Sequence, residues 1–155
     1  MSFPIKFEEM VPYFNISGDC ELYEVKPPGV HPTTIIRTDQ EWYIKFRWNT
    51  LGPLNCLMCG NWEVQVYLEQ MGKGEFALPN SVMTEPFVSK PFNYDCEIRF
   101  QPGKVPEGVY RIVATIKLLG PTGIPGPVVG FAEGPLVQFY HSKNLPTGNG
   151  NNSDE

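Results

Sequence analysis

The sequence has no stretch approaching the eighteen or more apolar residues of a membrane-spanning helix, so a helical span is excluded. Its first thirteen residues carry Glu8 and Glu9 and no long apolar run, which is unlike a signal peptide. A cytoplasmic protein is the expectation, with a mature secreted fragment as the alternative. Basic residues are few and scattered. Twelve Lys and Arg stand against seventeen Asp and Glu, for a formal net charge of −5. That excludes nucleic acid as the main partner, because neutralising phosphates needs clustered Lys and Arg. Helical periodicity is also missing: the best helical candidate, residues 5–13, is short and meets Pro12.

Signatures of catalysis are equally scarce. There are two histidines, His31 and His141, and neither stands beside a Ser or Cys nucleophile motif. No Gly-x-Ser-x-Gly occurs. The acidic residues Asp19, Glu21, Glu24, Asp95 and Glu97 lack the spacing of a calcium loop, and Glu24 falls on the opposite strand face from Glu21. No catalytic residue is assigned on this reading, which leans away from an enzyme.

Proline and glycine are plentiful, at sixteen and fifteen of 155 residues, as strands joined by many turns require. Strict alternation is the strongest positive signal. Trp42, Ile44, Phe46 and Trp48 share one face. So do Trp62, Val64, Val66 and Leu68; Cys96, Ile98 and Phe100; and Tyr110, Ile112, Ala114, Ile116 and Leu118. A period of two marks half-buried strands. Further strands are predicted near 20–25, 33–38, 82–88 and 128–140, the last with a break or bulge at Glu133-Gly134-Pro135. Turn signals separate every run. The reading is one all-β domain over residues 1–142, an antiparallel β-sandwich of seven to nine strands, followed by a disordered, polar, Gly/Asn-rich tail over 143–155.

The segment Pro106-Glu107-Gly108-Val109-Tyr110-Arg111-Ile112 resembles the start of strand F in immunoglobulin-like domains. In those domains a Gly two residues before a Tyr opens a tight corner, and the Tyr hydroxyl bonds back to upstream backbone. Ile112 stands where the antibody subset has its second disulfide Cys, so the likeness is closer to fibronectin-type and bacterial relatives with purely apolar cores. The resemblance implies an immunoglobulin-like sandwich and nothing about activity. With Tyr110 at the start of F, the other letters follow: A at 20–25, with 33–38 extending its edge, B at 42–48, C at 62–68, C′ or D within 75–88, E at 94–100 and G at 128–140. Connections then alternate between the two ends, so the B–C loop (49–61) and the F–G loop (120–127) share one end.

Those two loops supply the candidate site. The B–C loop holds Cys56-Leu57-Met58-Cys59, a C-x-x-C. Its thiols are read as ordinary reduced cysteines, or as a small loop disulfide, or as two ligands of zinc or copper with Met58 as a soft neighbour. A four-Cys zinc site would need a second pair, and Cys20 and Cys96 are separate singles, Cys96 pointing inward with Ile98. No cofactor is required, and zinc or copper at Cys56 and Cys59 is the alternative. The F–G loop contains Pro121, Ile124, Pro125 and Pro127, stiffened by proline with Ile124 at its tip. A stiff loop bearing an apolar tip suits recognition because little entropy is lost on binding. Tyr43 and Tyr67, on the outer faces of B and C, are the candidates for an exposed aromatic patch. The expected function is a non-enzymatic binding module with a protein partner, using the loop end. The alternatives are a thiol- or metal-dependent protein centred on the C-x-x-C, and a self-associating structural subunit.

Overall fold

In the computed structural model, which describes residues 2–8, 12–25, 30–32 and 34–141, the chain is all-β. The tail expected over 143–155 lies outside the described residues. Eleven strands form: β1 (Ser2–Phe7), β2 (Asn15–Val25), β3 (Val30–Pro32), β4 (Ile35–Arg37), β5 (Trp42–Leu51), β6 (Asn61–Gln70), β7 (Gly74–Phe76), β8 (Val82–Pro86), β9 (Phe92–Phe100), β10 (Gly108–Leu119) and β11 (Pro125–Tyr140). A short 3-10 helix, Pro53–Leu57, interrupts the connection from β5 to β6.

The pairing resolves into two sheets. In the first, β2, β5 and β9 lie side by side, all antiparallel. In the second, β6, β10 and β11 do so. These are the A–B–E and C–F–G groupings that the immunoglobulin-like reading requires. Six strands are long, and the total of eleven exceeds the seven to nine expected because five short edge strands, β1, β3, β4, β7 and β8, are added to them. One of these, β1, takes residues 5–7 of the short helical candidate into a strand, and residues 9–11 of that candidate lie outside the described residues. Its residues 2–5 pair with β2 and its residues 6 and 7 with β11, so it crosses from one sheet to the other.

The alternating faces meet between the sheets. Trp42 stacks on Phe100 at 4.3 Å and meets Phe139 of the other sheet edge-on at 5.3 Å. At the other end of β5, Trp48 meets Trp62 across the core at 5.8 Å and stacks on Tyr94 at 5.0 Å. All of these rings are buried, and burying such a side chain contributes roughly 1.5–3 kcal/mol each. The corner at Tyr110 is present: its hydroxyl donates to the Pro106 carbonyl at 2.8 Å. The β10–β11 register shifts between Arg111 and Val113, facing Gly134 and Pro135, where the sequence predicts a bulge. Glu24 shares the inward face of β2 with Leu22. It is buried, and its carboxylate accepts the Arg37 N–H at 2.9 Å, tying the end of β2 to β4.

Candidate functional site

At one end of the sandwich β2, β6, β9 and β11 begin and β5 and β10 finish. The connections there bind one another through backbone groups. Leu54 N–H donates to the Tyr13 carbonyl at 3.1 Å, which joins the β5–β6 loop to the turn before β2. Phe87 N–H donates to the Gly60 carbonyl at 2.9 Å, and Ser89 Oγ to the Met58 carbonyl at 2.8 Å, which joins the same loop to the β8–β9 connection. Gly60 also lies against the Leu119 carbonyl so closely that a Cβ would collide with it, which brings in the β10–β11 hairpin. That hairpin closes on itself through Gly120 N–H to the Ile124 carbonyl at 2.7 Å. The B–C and F–G loops therefore do occupy one end.

The side chains presented there are apolar. Leu57 is 83% exposed, Tyr13 75%, Ile124 67% and Leu51 53%, and Phe92 is exposed at the start of β9. Segments 12–18, 49–61, 86–94 and 118–129 together contain a single charged side chain, Lys90. Glu8, whose N–H donates to the Val129 carbonyl at 2.9 Å, borders them. The opposite end is different. Its connections carry Arg37, Asp39 and Glu41; Glu69, Lys73 and Glu75; and Lys104 and Glu107. Tyr13 adopts φ 62°, costly for a bulky residue, and is held there while its ring stays exposed. Beside these residues a shallow hollow of about 370 Å³ is lined by Thr50, Leu51, Lys90, Pro91, Phe92 and Asn93. Beneath the loops, the buried Trp48 Nε1, Trp62 Nε1 and Asn55 Oδ1 have no protein hydrogen-bond partner. Asn55 does donate from Nδ2 to the Gly52 carbonyl at 2.8 Å, which pins the 3-10 helix.

The sequence candidates distribute unevenly over this frame. Cys56 sits in the 3-10 helix and Cys59 just beyond it, both exposed and free. Met58, between them, is half-buried and packs on the core. The parity rule of strands gives no guidance inside a loop, which is why its direction was not readable. Among the described residues no group of three or more His, Cys, Asp or Glu could hold a metal ion. Pro121 and Ile124 are exposed in the hairpin turn, while Pro125 and Pro127 lie within the first residues of β11.

Tyr43 and Tyr67 do not form one patch, because β5 and β6 belong to opposite sheets and their outer faces point apart. Tyr43 is half-buried, stacked on Tyr23 at 5.0 Å under the Arg99 guanidinium at 4.6 Å, and burial pushes its pKa up. Tyr67 is half-buried opposite Val113. Both histidines lie toward the charged end, His31 in β3 and His141 after β11. Sequence reasoning missed Tyr13, Leu51, Leu57 and Phe92 as exposed apolar residues. The absence of charge from 49–61 could have found Leu51 and Leu57, while nothing comparable in the sequence marks Tyr13 or Phe92.

A second hollow, of about 310 Å³, lies on the outer face of the first sheet, lined among others by Ser17, Asp19, Arg47, Asn49 and Asp95. Of its lining, Ser17 Oγ donates to Asn49 Oδ1 at 2.8 Å, and Arg47 pairs with the neighbouring Glu21 at 2.9 Å.

No helix among the described residues is long and apolar enough to cross a membrane. No family model matches the chain, and no curated protein matches it. Among solved structures it is similar to the crystal structure of the CARDB domain of the PF1109 protein in complex with di-metal ions from Pyrococcus furiosus. The identity is 16%, covering 88% of this chain and 94% of that one, with a TM-score of 0.40. At that score the likeness carries no argument about site or ligand.

Proposed function

We propose that this chain is a non-enzymatic interaction module that docks a protein partner on the neutral loop end of its sandwich. The observation that carries this reading is the gathering of Tyr13, Leu51, Leu57, Phe92 and Ile124, all exposed, on segments 12–18, 49–61, 86–94 and 118–129, which bear one charge among them. Monomer surfaces rarely expose contiguous apolar groups without a use for them. An uncharged rim also loses little on desolvation, while the bonds that knit the loops together limit the entropy lost on docking. Cys56 and Cys59 flank the same surface. In this reading they stay reduced, as a cytoplasmic compartment would keep them. Their use as zinc or copper ligands is the second reading, favoured only by their shared exposure and spacing.

The test is capture from native extract by the tagged full chain, compared across variants. Leu57→Ser with Ile124→Ser should reduce recovery of a specific partner at least tenfold while circular dichroism stays unchanged. Tyr43→Ser and Tyr67→Ser should leave recovery intact. Equal recovery by the loop variant would remove the loop end from consideration. Metal analysis of the same preparation settles the second reading: stoichiometric zinc or copper lost in Cys56→Ser would favour it.

A further inference from the structure

Three of the four sheet edges are covered in part by short strands. In the first sheet, β1 and β3 cover the outer side of β2. In the second, β7 and β8 cover β6, and β1 and β4 cover β11. The fourth edge is β9, which ends the strand order, and among the described residues nothing pairs with its outer side. Natural proteins blunt such an edge with a bulge, a proline, charged side chains (lysine above all) or a very short strand, and of these β9 has only the charges of Asp95, Glu97 and Arg99. Here β9 runs nine residues, Phe-Asn-Tyr-Asp-Cys-Glu-Ile-Arg-Phe, without Pro or Lys. Its register with β5 is unbroken from Phe92 to Phe100, so no bulge bends it away.

We infer that this edge pairs with the β9 edge of a second copy of the chain, antiparallel about a two-fold axis at Ile98. Charge selects that occupant and that register. The outward side chains of β9 are Asn93, Asp95, Glu97 and Arg99. With Ile98 on the axis, Glu97 faces Arg99 of the second copy twice, and Asp95 faces Gln101. Axes at Asp95, Glu97 or Arg99 set a like charge against itself, and an axis at Cys96 sets Asp95 against Glu97. Opposite charges directly across strands stabilise pairing and like charges oppose it. The inward residues agree, since Ile98 meets Ile98 and Cys96 meets Phe100. In the single chain Arg99 is already held beside this edge, 2.6 Å from Glu97 and 3.7 Å from Glu41. It is therefore placed to exchange its own Glu97 for the second copy's. The isologous contact closes after two copies, so it gives a dimer and not a fibre.

Light scattering on the full chain during size exclusion, over a range of concentrations, tests this. An edge-only contact falls at the small end of specific interfaces, below about 1,200 Å². The expected result is a dimer that dissociates on dilution. Glu97→Arg alone and Arg99→Glu alone should each leave a monomer at every concentration. The double variant, with both charges exchanged, should restore the dimer. Rescue also reports the register, because an axis at position 97 would still set two like charges, now both arginines, against each other in the double variant. A wild-type monomer throughout overturns the proposal, as does a dimer indifferent to the single reversals. A dimer lost in Leu57→Ser with Ile124→Ser but kept in Arg99→Glu would assign self-association to the loop end and likewise overturn it.

Discussion

The four cysteines fall into two kinds by position. Cys20 and Cys96 face inward on β2 and β9, and both sit opposite Phe46 of the intervening β5. Two strand spacings separate them, about 9.6 Å, beyond the reach of a disulfide. Burial raises both thiol pKa values, that of Cys96 from 9.0 to about 12, with Glu85, Asp95 and Glu97 adding to the effect. The consequence for stability has a definite sign. Above pH 9 the unfolded chain releases these protons while the folded one keeps them. Stability is therefore undiminished below about pH 9 and falls as pH rises toward 12, by about 1.4 kcal/mol per pH unit for each thiol. Urea titrations at pH 8 and pH 10 on wild type and Cys96→Ala check it: the variant should lose about 1 kcal/mol less between the two pH values. Equal losses would contradict the burial argument. In the native protein at pH 8 a thiol reagent should find Cys56 and Cys59 and reach the other two only after denaturation. The inward place of Cys96 was readable from its parity with Ile98. The inward turn of Met58 was not, since no period governs a loop.

Among elements, the long strands were legible because each buries one face against the opposite sheet, which imposes the period of two. The shared end of the B–C and F–G loops followed from chain order alone, since consecutive antiparallel strands alternate ends. The short strands were legible only in part. β4 and β8 fall within the predicted 33–38 and 82–88, although β4 pairs with β11 instead of extending the edge of β2. Three residues at β3 and at β7 hold too few alternations to stand out, and β1 carries Pro4, which argues against a central strand. Pro4 is tolerated because β1 pairs on one side only at that position, with β2. What joins the loops into one surface is also invisible in sequence: a close approach at Gly60, which has φ 130° and lies on the Leu119 carbonyl. A side chain there meets both an unfavourable backbone region and a fixed backbone atom. Gly60→Ala should therefore cost about 2 kcal/mol or more in chemical denaturation. The control is Gly72→Ala, also at positive φ but with open space around it. It should cost less, and equal costs would show that the contact with Leu119 is not what constrains the loop.

On the scale of the whole molecule, charge divides the sandwich along its length. Among the described residues the loop end is neutral apart from Lys90 and the bordering Glu8, while the far end and the outer face of the first sheet are densely charged. The two proposed contacts fall on opposite sides of that division, which gives them opposite responses to salt. Self-pairing through β9 depends on Glu97 and Arg99 at the solvent face. Raising ionic strength from about 0.01 M to about 1 M shortens the screening length from about 30 Å to about 3 Å, and should weaken it. Docking at the loop end buries apolar groups with no ion pair to screen, and an excluded salt such as sulfate should hold it or strengthen it. The expected outcome in light scattering is a dimer that dissociates more readily as sodium chloride rises. In capture, partner recovery should survive the same increase and fall only when Leu57 and Ile124 are made polar. If recovery and dimer decline together with salt, one surface serves both contacts, and the division between a neutral docking end and a charged pairing edge is wrong.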